Sequence, residues 1–178
     1  MVECKNLDPT ALGLFLVAVV SLPLAILQLV GIDGFYNVPA ADFFKLLGLM
    51  IIAVAYFAYR AESQFGFTVF ALVGAAVAMT GFGMGAFENI AFGLVFVLAI
   101  IWSIFAKTPK NLTLILVTTA LIFLFVGFAL YQDSTGASFI GTDPTFWHWL
   151  IGIAALFNFI FNIFLAYALA LEDKLPIF

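Results

Sequence analysis

Asn158 and Asn162 stand four residues apart in an otherwise apolar stretch, so on a helix their carboxamides share one face. Ser21 and Gln28 interrupt a second apolar stretch, and Pro23 between them removes a backbone donor and leaves a carbonyl to be satisfied elsewhere. Hydroxyls and amides can exchange hydrogen bonds with a solute but do not titrate near neutral pH. Two uses fit the asparagine pair: lining a polar permeation path, or bonding helix to helix at about 0.6–2 kcal/mol per contact. Glu88 is the lone acid between Gln64 and Ala106. It either binds a proton and repels anions at a vestibule, or caps a helix N-terminus, where the helix dipole favours negative charge. His148, the single histidine, lies among Phe146, Trp147 and Trp149, and imidazole is the side-chain type that can change charge in the physiological range. It serves a pH response, or it belongs to an aromatic belt at a membrane interface.

The elements that hold these residues follow from composition. Of 178 residues, 66% are hydrophobic and 9% charged, against about 45–50% and about 25% in soluble domains. Such a chain is expected to live in lipid. A hydrocarbon core about 30 Å thick needs roughly 20 apolar residues on a helix. Six stretches qualify: Ala11 to Ile32, Phe43 to Tyr59, Gln64 to Phe87, Asn89 to Ala106, Asn111 to Gln132 and Pro144 to Leu171. Lys45 interrupts the second, which makes it the weakest, and pairing with Asp42 one turn earlier would let it stand. The third and fourth are expected to meet at Phe87, Glu88 and Asn89 in a tight hairpin. Backbone in lipid must satisfy itself, so each span must be a helix.

The fold class expected is therefore an all-α polytopic membrane protein, one domain over residues 1–178, built as a compact six-helix bundle. Lys5, Arg60, Lys107, Lys110 and Lys174 fall in the tails and alternate loops, and Lys45 alone falls on the other side. Positive charge is retained on the cytoplasmic side, which predicts both termini inside. The N-terminal tail and the long apolar run after it do not read as a cleavable leader. Gly66, Gly74 and Ala78 in the third span are spaced for close helix packing.

Other classes are disfavoured. The net charge of −4, with no basic cluster, argues against a nucleic-acid partner. A single histidine and the single Cys4 can build neither a zinc site nor an internal disulfide. No phosphate loop or nucleophile constellation is present, so no enzymatic activity, metal or cofactor is expected.

Asp8-Pro9-Thr10-Ala11-Leu12-Gly13-Leu14 resembles the Asn-Pro-Ala-Pro-Leu-Gly-Leu signature that opens the first helix of the acetate and succinate transporter family. Phe65-Gly66-Phe67-Thr68-Val69-Phe70, entering the third span after Tyr59-Arg60, is a second match, and the six-span layout agrees over nearly the whole chain. The resemblance implies a six-helix protomer and a homo-oligomer, a hexamer, in the plasma membrane. Each protomer would carry acetate or a similar small monocarboxylate, as a channel or a proton symporter. It also implies an apolar neck, which in family members is a Phe, a Tyr and a Leu. Alignment from the motifs puts Val17, Val73 and Leu121 at those places. Two rings are thus replaced by valine, with Phe15 or Phe70 nearby to close the neck. Asp8, Thr10 and Ala11 also depart from the signature. Phe87-Glu88-Asn89 is similar to a stretch of the proton-gated urea and amide channels, which gives a passage for neutral amides as the alternative. A further alternative is a membrane subunit that transports nothing. The substrate path expected from these readings comprises Val17, Ser21, Phe70, Val73, Leu121, Asn158 and Asn162.

Overall fold

A computed structural model describes residues 9–30, 38–136 and 144–171. Cys4, Lys5, Asp8, Lys174 and residues 31–37 and 137–143 lie outside the described residues. Among the described residues six helices run in order: α1 (Thr10–Val30), α2 (Val38–Arg60), α3 (Gln64–Phe82), α4 (Ala86–Phe105), α5 (Lys110–Thr135) and α6 (Pro144–Ala170). Among the described residues there is no strand. Five of the six are long and apolar enough to cross a membrane. Their outer faces are apolar too, as on α4, where Leu94, Leu98, Ile101 and Phe105 are all exposed. The protein is a membrane-embedded helical bundle.

The exception is α3, whose apolar part, Gly66–Phe82, is shorter than the expected span to Phe87. The cause is local chemistry. Gly83 takes the left-handed conformation at φ 87° and its N–H bonds the Thr80 carbonyl, which ends the helix. Gly85 then serves as the N-cap of α4. The hairpin turn therefore lies at Gly83–Gly85, and Phe87, Glu88 and Asn89 belong to the first turn of α4. Lys45 does not break α2: its ammonium lies 3.1 Å from Asp42 Oδ1 and 5.2 Å from the centre of the Phe82 ring.

Packing follows small residues. A Cβ on Gly48 would sit 2.4 Å from the Ala78 backbone nitrogen, so α2 and α3 are in backbone contact there. Gly74 in turn faces Ile52 and the Gly48 carbonyl. Gly66 instead donates its N–H to Ser63 Oγ, capping α3. The other extensive contacts pair α1 with α6, α4 with α5, and α5 with α6, with a smaller one between α1 and α2. Neighbours thus follow the order α3, α2, α1, α6, α5, α4, and the turn at Gly83–Gly85 links the two ends of that series.

Candidate functional site: a central cavity with an amide floor

Within that ring of helices lies a cavity of about 130 Å³. A single buried water needs about 10–15 Å³ on the same measure, so the space suits several waters or one small solute. Its walls are mainly apolar, with Leu24, Phe44, Val73, Val77, Ile122 and Phe123 among them. Every lining residue from Gln28, Phe44, Met84, Asn89, Asp133 and His148 belongs near the α1, α3 and α5 C-termini or the α2, α4 and α6 N-termini. The cavity therefore reaches from mid-bundle to the end opposite Arg60, Lys107 and Lys110. Among the described residues no lysine or arginine lines it.

The floor is built on Asn158 of α6, which is 1% exposed. Its amide nitrogen donates to Thr118 Oγ1 at 2.8 Å and Thr119 Oγ1 at 2.9 Å, with the Ile115 carbonyl at 3.2 Å. Its Oδ1 accepts from Ser21 Oγ at 2.7 Å and from Asn162 Nδ2 at 2.9 Å. One side chain thereby ties α1, α5 and α6 together, because a polar group in an apolar bundle is stabilised only where every donor finds an acceptor. The amide orientation is fixed by chemistry: reversing it would set Nδ2 against the Asn162 amide nitrogen and Oδ1 against the Ile115 carbonyl. Asn162 is fully buried, and its own Oδ1 has no protein partner. Of the two uses open to the asparagine pair, helix bonding is met directly, and Asn158 also lines the cavity.

Below the floor the bundle is filled. Leu14, Val17, Phe70, Leu116 and Leu165 are each at most 5% exposed. Phe70 lies where a Cβ on Gly13 would be 2.5 Å from its ring, so the glycine of the α1 motif is what admits the phenyl group. Val73 lines the cavity and Val17 is buried in the same core. Leu121 does not join them. It is 36% exposed, on the outer side of α5, and Thr119, Ile122 and Phe123 present the inner side. Val17, Phe70 and Val73 are thus buried together in the core, while Leu121 faces outward and does not join them.

At the mouth, His148 Nδ1 lies 2.5 Å from Gln28 Oε1, joining α6 to α1, and both residues line the cavity. The aromatic belt is only partial. Phe146 and Trp149 are exposed, but Trp147 turns inward, 6% exposed, donating to Gln132 Oε1 at 2.8 Å and packing on Phe125 and Phe128. Glu88 is exposed in the first turn of α4, with its Oε2 folded back over Gly85. That is the placement of a capping carboxylate.

Thr80, Thr118, Thr119 and Asp133 did not stand out as candidates in the sequence, and Asn89 did so only within the Phe87-Glu88-Asn89 stretch. Threonine hides in apolar helices because its hydroxyl bonds the carbonyl three or four residues back, as Thr80 does to Ala76 and Thr119 to Ile115. The adjacent Thr118-Thr119 pair in mid-span was the available signal. Among the described residues no group of three or more His, Cys, Asp or Glu gathers to hold a metal. No protein-family model, no curated protein and no solved structure matches the chain.

Proposed function

We propose that this protein is a transmembrane passage for a small uncharged solute, and that the solute is acetic acid or a similar monocarboxylic acid, carried in neutral form or with its proton. The observation that carries the reading is the central cavity: small, largely apolar, floored by hydroxyls and amides, and lacking any lysine or arginine among the described residues of its lining. A bare carboxylate would meet no countercharge there, and Asp133 stands at the mouth. The neutral acid meets apolar walls for its methyl group and polar groups at the floor. The likeness of the α1 opening and of Phe65 to Phe70 to the acetate and succinate transporter family supports the same substrate.

The layout proposed is six spans with both termini cytoplasmic, in the plasma membrane, assembled as a homo-oligomer, a hexamer. The cavity then opens outward, and Phe70 and Val17 form the inner closure. A second reading, a helix-anchoring subunit that transports nothing, draws on the saturated bonding of Asn158. Purified protein in liposomes separates the two. Labelled acetate should enter faster than in protein-free liposomes, and faster still with an inward proton gradient. Uptake equal to that of protein-free liposomes would favour the subunit.

A further inference from the structure

The hydrogen atoms on the cavity floor can be counted. Ser21 has one hydroxyl proton and two acceptors within reach, the Val17 carbonyl at 2.9 Å and Asn158 Oδ1 at 2.7 Å. Two oxygens held at 2.7 Å need a proton between them, and Asn158 Oδ1 has none to give. The Ser21 proton is therefore committed. Thr119 Oγ1 stands 2.8 Å from the Ile115 carbonyl, and Thr80 Oγ1 stands 2.9 Å from the Ala76 carbonyl, so those protons are committed too. Both amide hydrogens of Asn158 go to α5, as described above. Asn89 directs its amide to the Gly85 carbonyl at 2.8 Å and toward the Met84 carbonyl at 3.4 Å.

What remains for a solute is oxygen lone pairs. Ser21 Oγ keeps its acceptor capacity, Thr119 Oγ1 keeps one lone pair after accepting from Asn158, and Asp133 adds a carboxylate at the mouth. Asn162 Oδ1, one turn below the floor, is a buried acceptor with no donor. Among the described lining residues, spare donors occur at the rim, on Gln28 and His148. The interior thus accepts hydrogen bonds and does not give them.

We propose that the cavity selects its solute by hydrogen-bond donors, so that small primary amides such as acetamide pass as well as the neutral acid does, while the carboxylate anion is refused. This rests on the passage reading and names the property that the site recognises. The neutral acid presents one O–H to Ser21 or Thr119. An amide presents two N–H groups, enough for both. The anion presents none, and would face lone pairs with lone pairs.

The test compares acetamide with acetate at pH 8, where the acid is almost wholly ionised, in liposomes holding the purified protein. Leaving one buried hydrogen bond unmade converts to about tenfold, so protein-dependent acetamide flux should exceed acetate flux by about tenfold or more. Thr119→Val keeps the side-chain shape and removes an acceptor, while Thr118 Oγ1 and the Ile115 carbonyl stay within reach of both Asn158 N–H groups. It should lower the acetamide-to-acetate ratio, whereas Thr119→Ser should keep it. If Thr119→Val does not assemble, the ratio in the unaltered protein decides alone. Equal entry of both solutes at pH 8 overturns donor selection and leaves the passage standing. Entry of neither above protein-free liposomes, with neutral acid also excluded at low pH, overturns the passage itself.

Discussion

Asn158 concentrates more of the bundle's polar bonding than any other described side chain, since it joins Ser21, Thr118, Thr119 and Asn162. Asn158→Leu would leave buried groups on three helices without partners, at about 1–3 kcal/mol for each that stays unsatisfied. The expected outcome is a lower thermal unfolding midpoint in detergent. An unchanged midpoint for Asn158→Leu would remove the network from the account of stability. Phe70 is the second residue to test. Its replacement by alanine empties the space beneath Gly13, costs about 3–5 kcal/mol, and should raise flux per folded molecule if the ring closes the path. Lower stability without increased flux would make Phe70 a packing residue alone.

The asparagine pair and Ser21 were legible in the sequence because amides and a hydroxyl in apolar stretches stand out by composition. Leu121 was not, since nothing in a leucine-rich helix tells which face turns inward. Its placement on the outer side comes from packing of α5 against α4 and α6 at once. Trp147 shows the same limit: three aromatic neighbours suggested a belt, and one of them found Gln132 and turned in.

At the scale of the helix, the ends decide more than the middles. Five apolar runs became helices near their expected bounds because length and hydropathy dictate that much. The third stopped early, at Gly83, because a left-handed residue outweighs the apolar pattern around it. Gly83→Ala should cost about 1–2 kcal/mol through backbone strain, read as a fall in the unfolding midpoint with helix content preserved. Gly48→Val should do more, because the added carbons would meet the Ala78 backbone 2.4 Å away. Loss of the monodisperse species on size exclusion is the expected result, and an undisturbed Gly48→Val protein would deny the close contact of α2 and α3.

For the whole molecule, the described helices enclose a cavity whose mouth lies away from Arg60, Lys107 and Lys110. That asymmetry makes the orientation testable. A reporter placed between Lys107 and Lys110 should read cytoplasmic, and one near Ser138 should read external. Opposite labelling at Ser138 would overturn six spans with inner termini. The basic-residue partition was readable from the chain; the ring order and the cavity were not, because they depend on which small residues meet across helices.

The measurement that bears most directly on the central claim is labelled acetate uptake at a fixed total concentration across a pH series, in liposomes with the unaltered protein and with Val73→Trp. Val73 lines the cavity and is 4% exposed, and an indole there fills space that a solute must use, at a packing cost of about 1–3 kcal/mol. The protein-dependent rate should rise as pH falls, following the neutral acid, and should vanish in Val73→Trp protein that is folded and assembled. A rate that is flat across pH, or one that survives in correctly assembled Val73→Trp, would contradict a passage for uncharged solute through the central cavity.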